Sequence, residues 1–458
     1  MPARDRPAGV AEAEPCAQSR RYAKDSWSTL LFVIDDSLPS AVSRSIAVGV
    51  SLFTAVGCTL TDSQPEAALP AFEIAIGADT PLEYPSGLAN LPNGYTSFLP
   101  ASTGASSYLV FASSTTATAA DNVTGAIVLE TTDLMRFTLA NGFGSSSSGG
   151  LVFVPPSSYC NSADAVSGSG VFDQNYAAPG SVLQDPTLPQ GNLIMVYQAG
   201  LYCYPGGSNL YPFASVGLAR SANGGKTWPA SGTPDRYAIV QVAGSRPSVT
   251  LGGAGDASPS AFVDDVAPGN FLYVVYQNLG AVTAAALTSN DGFLRIARAK
   301  LGQTGPLTFG KWDHGTWSQP GIGGTDSAIT PQLGCRQPGY QHDGQISYVE
   351  SQRLYLLTFV CATQEVGAIR GEAAWYYSTA TSLESQDWSA PAPIPGTSGP
   401  VEVDTGAFSS LFNGWYPSFL SPGTAPGHLG RTGLVFYGQG GDRGLFRHAM
   451  LSRTFAIH

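Results

Sequence analysis

The sequence predicts an all-β chain folded as a β-propeller of five blades, and three observations carry that reading. Charged residues make up only 12% of the 458, while Gly (54) and Pro (33) are frequent. Long amphipathic helices need the charged residues that this chain lacks; many short strands need frequent turns. A strand pattern then recurs five times at a near-constant interval. Around each copy the same order of strand and turn signals returns, as repetition of one sheet unit requires.

The first 65 residues stand apart and are expected to be poorly structured, with residues 66–458 forming the propeller. Ile46–Gly57 (IAVGVSLFTAVG) is apolar, follows Arg44 and ends at Cys58. The run is too short to span a bilayer. It resembles a bacterial lipoprotein signal, with Ala55-Val56-Gly57-Cys58 as the cleavage box and Ala55 where Leu is usual. That implies a secreted or envelope-anchored protein, a lipid anchor at Cys58, and a true start near Val42. The competing reading is a buried apolar strand in a cytoplasmic protein. With Cys16 and Cys58 set aside, four cysteines remain and suit an exported chain, and the pairing Cys160–Cys203 with Cys335–Cys361 is favoured among the three possible.

The repeat is read from five hydrophobic strands: Tyr108–Ser113, Leu193–Gln198, Leu272–Gln277, Leu354–Val360 and Leu434–Gly438. Aligned on Phe111, Tyr197, Tyr276, Phe359 and Tyr437, they are spaced by 86, 79, 83 and 78 residues. Before each lies a strand of small residues around Ser97, Ser181, Ser260, Ser347 and Ser418, suited to a crowded central channel. Turns such as Asp185-Pro186 and Pro268-Gly269-Asn270 separate the two. A third strand follows, as at Ala126–Glu130, Val216–Ser221 and Ala373–Ser378, and a fourth closes the blade. Six blades result if residues 66–92 supply a strand of an extra one.

The turn after the third strand carries a signature. Ser221-Ala222-Asn223-Gly224-Gly225-Lys226-Thr227-Trp228 resembles the Asp box S-x-D-x-G-x-T-W of sialidases, with Asn223 for Asp. Degenerate relatives occur at Thr131–Phe137, Ser289–Gly292 and Ser382–Trp388. Trp375-Tyr376-Tyr377-Ser378 followed by Asp387-Trp388-Ser389-Ala390-Pro391 resembles the five-bladed arabinanase and β-xylosidase superfamily of glycoside hydrolases. This resemblance covers about residues 90–458 and implies a carbohydrate substrate, no cofactor, and acids projecting from the inner strands into one channel mouth. Glycoside hydrolysis takes two carboxyl groups, one protonated and one ionised.

Asp256 and Asp343 enter the third and fourth inner strands and are the preferred carboxylates; Asp173, before the second, is an auxiliary. They are expected to converge from corresponding places in different blades. The first inner strand is entered by Asn93-Gly94-Tyr95, without a carboxylate, and Asp256 stands where the family has a Glu. Asp264 and Glu350, past the inner strands, read as solvent-facing turn residues. Tyr340, His342, Trp415 and Tyr416 are candidate sugar contacts, as aromatic faces near the mouth. Arg246, Arg336 and Arg431 are candidates for gripping a carboxylate in a sialidase-like site. The alternatives are a lectin-like propeller without catalysis, a sialidase-like exo-glycosidase, and a structural or protein-binding envelope lipoprotein.

Other classes find no support. A net charge of −11 without a Lys/Arg run past the N-terminus speaks against nucleic acid. No CxxC or His-rich cluster suggests a metal, and no GxGxxG helix start, Walker loop, HExxH or GxSxG elbow is found. A monomer is expected.

Overall fold

A computed structural model describes residues 72–458 except 87, 89–90, 93, 102–105, 119–120, 145–149, 157–171, 175, 202–212, 242–253, 279–292, 331–338, 365–369, 403–412 and 440–448. The chain divides between Glu66 and Ala67, and the first unit, with Cys58, lies outside the described residues. The described part is all-β, with strands and turns and no helix.

Five repeats each contain an inner, a second and a third strand. The inner strands are Ser97–Pro100, Tyr176–Gln184, Ala254–Asp264, Gly339–Val349 and Asn413–Leu420. Each pairs antiparallel with a second strand: Tyr108–Thr118, Leu193–Leu201, Phe271–Asn278, Leu354–Gln364 and Thr432–Gln439. The third strands are Asp121–Thr131, Phe213–Ser221, Leu294–Lys300, Arg370–Ala380 and Ala449–Ile457. Ile74–Ile76 and Thr80–Pro81 pair antiparallel with Ala449–Ile457, so these described residues add an outer edge to the last repeat.

Side chains alternate across each second strand, and this decides which neighbour they meet. Val274 and Tyr276 pack toward repeat 2, whereas Tyr273 and Val275 pack toward repeat 4. Five apolar clusters fill the faces between repeats 1 and 2, 2 and 3, 3 and 4, 4 and 5, and 5 and 1. The last joins Phe98, Val110 and Ile127 to Phe436 and Met450.

The inner strands are linked in the same cycle. The backbone N–H of Val182 donates to Ser97 Oγ (2.9 Å), and that of Ala261 to Ser181 Oγ (2.8 Å). Ser260 Oγ donates to the Gly344 carbonyl. The N–H of Phe419 donates to Gln345 Oε1 (3.0 Å), and that of Thr96 to Ser418 Oγ (3.0 Å). Each bond satisfies a polar group that crowding at the centre removes from water.

The five aligned aromatics are fully buried. A buried Tyr hydroxyl needs an acceptor, and each Tyr has an Asp held by an Arg. Tyr197 donates to Asp173 (2.8 Å), which pairs with Arg236 (2.6 Å). Tyr276 donates to Asp326 (2.7 Å), which pairs with Arg295 (3.0 Å). Tyr437 donates to Asp79 (2.5 Å), which pairs with Arg453. Phe111 and Phe359 bring no hydroxyl to satisfy.

The turn Ser221–Trp228 is closed by its own side chains. The N–H of Thr227 donates to Asn223 Oδ1 (3.0 Å), the N–H of Gly225 to Ser221 Oγ (3.0 Å), and Trp228 Nε1 to the Gly225 carbonyl (3.0 Å). Gly225 has φ +83°, and a Cβ there would lie 2.6 Å from the Phe111 ring. The turn therefore locks repeat 2 onto repeat 1. The Ser289–Gly292 turn lies outside the described residues.

At the far ends of the inner strands Glu350 is exposed, as expected, and contacts His428. Asp264 is different: it is buried, accepts the Tyr355 hydroxyl (2.9 Å), and caps the N–H groups of Val266 and Ala267. Spacing cannot reveal that Tyr355, from the next repeat, covers this turn. Cys361 is buried and disulfide-bonded; Cys160, Cys203 and Cys335 lie outside the described residues.

Candidate functional site

Four of the five inner strands carry a β-bulge near their starts, where the ladder slips after Pro179, Ala257, His342 and Trp415. In three of them the bulged residue has left-handed backbone without being glycine: Ser258 (φ +46°), Asp343 (φ +53°) and Tyr416 (φ +56°). Such a conformation costs on the order of 1 kcal/mol and persists only where surroundings enforce it. The ladder makes Ser258, Asp343 and Tyr416 equivalent positions on three inner strands.

Around Asp343 the repeats meet. Its carboxylate accepts the backbone N–H of Tyr416 (3.1 Å) and pairs with Nδ1 of His342 (3.0 Å). The His342 ring stacks on Trp415 at 4.7 Å and 25°. The Tyr416 ring meets Tyr95 edge-on at 5.8 Å. Tyr95 is buried and donates to the Gly344 carbonyl (2.9 Å), the same acceptor that Ser260 uses. Burial, with the nearby Asp343, holds the Tyr95 phenol well above its usual range. Trp415 and Tyr416 are half-buried, whereas His342 and Asp343 are buried.

The structure thus brings together His342, Asp343, Trp415 and Tyr416. Tyr95 joins them, although the sequence marked its place only by the missing carboxylate. Its signal was position: like Tyr416, it is an aromatic at the start of an inner strand. The Tyr340 backbone belongs to Gly339–Val349, and its side chain lies outside the described residues, as do Arg246 and Arg336. Arg431 precedes Thr432–Gln439, at the end of the sheet opposite Asp343, and lines a 420 Å³ cleft with Gln352 and His458.

Asp256 and Asp173 have other surroundings. Asp256 lies opposite Asn278 and Gln341 opposite Cys361, so Asp256 is in register with Gln341, two residues before the Asp343 position. It lies beside Tyr276, Lys311, Asp326 and Arg295. Its side chain is 0% exposed, and among the described residues no donor hydrogen-bonds either oxygen. Burial pushes its carboxyl up to about 7, against the opposing pull of Lys311 Nζ at 4.0 Å. The Asp173 carboxylate is occupied by Tyr197, Ser231 and Arg236. The three acids have three separate sets of partners. Among the described residues no group of three or more His, Cys, Asp or Glu side chains could hold a metal ion.

No family model and no curated protein matches the sequence. Solved structures with a similar course of chain include an N-acetylgalactosamine deacetylase from F. plautii in complex with blood group B trisaccharide (TM-score 0.46, 12% identity, covering 84% of this chain and 95% of that one). Others are an endo-1,5-alpha-L-arabinanase from Thermotoga petrophila RKU-1 (0.43, 13%, 82% and 75%) and the glycoside hydrolase family 43 YxiA protein from Bacillus licheniformis (0.42, 14%, 83% and 72%).

Proposed function

We propose that this chain is an exported five-bladed β-propeller that engages a glycan at its centre and hydrolyses it. The observation that carries the proposal is the cluster at Asp343: a carboxylate with an imidazole partner, flanked by the half-buried rings of Trp415 and Tyr416. Sugar rings offer apolar faces that stack on such aromatics, and hydroxyls that a carboxylate accepts. The count of five blades is supported by the cycle of inter-strand bonds and the five apolar clusters.

Hydrolysis divides two carboxyl groups by environment. Asp343, with a backbone donor and His342 beside it, is assigned the role of base. Asp256, buried without a hydrogen-bond donor among the described residues, is assigned the role of acid. Asp173 is given a structural role because three partners occupy its carboxylate. The remaining parts of the proposal are a lipid anchor at Cys58, disulfides Cys335–Cys361 and Cys160–Cys203, and a monomeric state.

A second reading, glycan binding without turnover, is favoured by one observation: Asp256 and Asp343 share no partner and occupy non-equivalent register positions. One experiment separates the two. The wild type, Asp343→Asn, Asp256→Asn and Trp415→Ala are incubated with a panel of polysaccharides and probed on a glycan array. Reducing-end release that disappears in both Asn variants supports hydrolysis. Array binding without release, lost in Trp415→Ala, supports the lectin reading. Absence of both binding and release rejects the glycan site.

A further inference from the structure

Beneath the second strand of repeat 3 lies a buried charge network that no other repeat matches among the described residues. In repeats 2 and 5 one Tyr hydroxyl is met by one Asp and one Arg. In repeat 3 the Tyr276–Asp326–Arg295 set is joined by a second cation, Lys311, and a second acid, Asp256. Lys311 and Asp256 are 1% and 0% exposed at their side chains. Chains rarely bury a lysine, and never cheaply, unless its charge is matched.

The ammonium is held by two carbonyls and a carboxylate. Nζ donates to the carbonyls of Gly324 (3.0 Å) and Gln241 (3.3 Å) and forms an ion pair with Asp326 Oδ2 (3.3 Å). Asp256 stands 4.0 Å from the same positive charge, and among the described residues no donor hydrogen-bonds either of its oxygens. Its oxygens feel attraction without a hydrogen bond. That arrangement differs from the Asp173 site, where donors saturate the carboxylate.

We propose that Lys311 is the positioning residue for Asp256: an ammonium pinned by Gly324, Gln241 and Asp326 governs whether the buried carboxyl beside it carries a proton. With Lys311 in place, Asp256 exchanges its proton with water near neutrality; the proton leaves as hydronium and the carboxylate remains against the ammonium. The groups facing it are Lys311 from Gly310–Asp313, Arg295 from Leu294–Lys300, Tyr276 from Phe271–Asn278, and Asp326 from the segment after Thr316–Pro320. Two are cationic and one is anionic, so removing Lys311 leaves a balance that disfavours the carboxylate. The use of Asp256 as a catalytic acid rests on the hydrolytic proposal; the charge relation does not.

The test is a site-resolved titration by carboxyl ¹³C NMR of the full chain, with the Asp256 signal assigned by its loss in Asp256→Asn. In the wild type a carboxyl titrating at about 7 is expected. Lys311→Met is expected to raise that midpoint by at least about one pH unit, and Lys311→Arg to restore most of it. Asp326→Asn, which removes the neighbouring negative charge, is expected to lower it. An unmoved midpoint in Lys311→Met overturns the proposal. So does a wild-type Asp256 already ionised at pH 5, a result that needs no variant to fold except the reference. Turnover is not used, so failure of the hydrolytic reading leaves this result intact.

Discussion

Replacing Asp173 by Ala strands a charge. The Arg236 side chain is 6% exposed, and its guanidinium lies 4.0 Å over the Phe153 ring. Its partners beyond Asp173 are the carbonyls of Val154 (2.9 Å) and Pro229 (3.3 Å) and the Tyr197 hydroxyl (3.4 Å), which accept from it but supply no negative charge. Arg remains protonated at any accessible pH. Breaking a buried ion pair from one side costs about 3–5 kcal/mol, and the Tyr197 hydroxyl and Ser231 lose their acceptor as well. Tyr197→Phe should cost only about 1 kcal/mol, because the carboxylate keeps its other donors; Phe already stands at this position in repeats 1 and 4. The double variant Asp173→Leu/Arg236→Met, which removes both charges, should recover most of the loss. The assay is urea unfolding followed by circular dichroism, comparing midpoints at constant slope. An Asp173→Ala protein within about 1 kcal/mol of the wild type would refute the reasoning, since it would mean that the pair is open to water. A catalytic role for Asp173 makes the opposite forecast: lost turnover at unchanged stability.

Further outcomes are expected. Gly225→Ala should destabilise by more than about 2 kcal/mol in the same urea assay, because it combines a strained φ with a clash against Phe111. Ser181→Ala should cost about 1–3 kcal/mol by leaving the Ala261 N–H without its acceptor; a value near zero would mean that water replaces the hydroxyl. Asp256, with an ordinary value of 3.8, is raised to about 7 in the folded chain, so the native state binds a proton that the unfolded state has released. Its contribution to stability therefore falls as pH rises from about 4 to 7, by up to about 4 kcal/mol, and is flat above. Unfolding midpoints across that range in wild type and Asp256→Asn check this: the variant should lose the slope, and equal slopes would count against it. Asp343→Asn should remove glycan processing while the unfolding midpoint moves little, since the amide oxygen can still accept the Tyr416 N–H.

Much of the architecture was legible in the chain. The second strands were found because alternation and aromatics sit where burial is complete, and every aligned aromatic is fully buried. Their limits were less visible. Tyr108–Ser113 runs on to Thr118, and Leu354–Val360 to Gln364, through Thr, Ser, Ala and Gln, where the ladder continues without hydrophobic contrast. The aromatics around Asp343 were named because they cluster at the starts of inner strands. Tyr95 carries no such signal: it stands alone before Ser97–Pro100, and its contacts with Gly344 and Tyr416 are made only in the fold.

What the amino-acid order determined by itself is periodic: five copies of a strand pattern, their order, and the turns between them. Alternation is a property of one strand and survives without neighbours. The tertiary structure decided which acids share a site. Asp256 and Asp343 both begin inner strands, yet a register difference of two residues puts one beside Lys311 and the other beside Tyr416. Tyr197 and Tyr416 reach Asp173 and Asp343 from 24 and 73 positions away, and among the described partners only His342 is adjacent in the chain. Electrostatics acts through space over a few ångströms, so a carboxylate's role follows from register and packing more than from the order of residues in the chain.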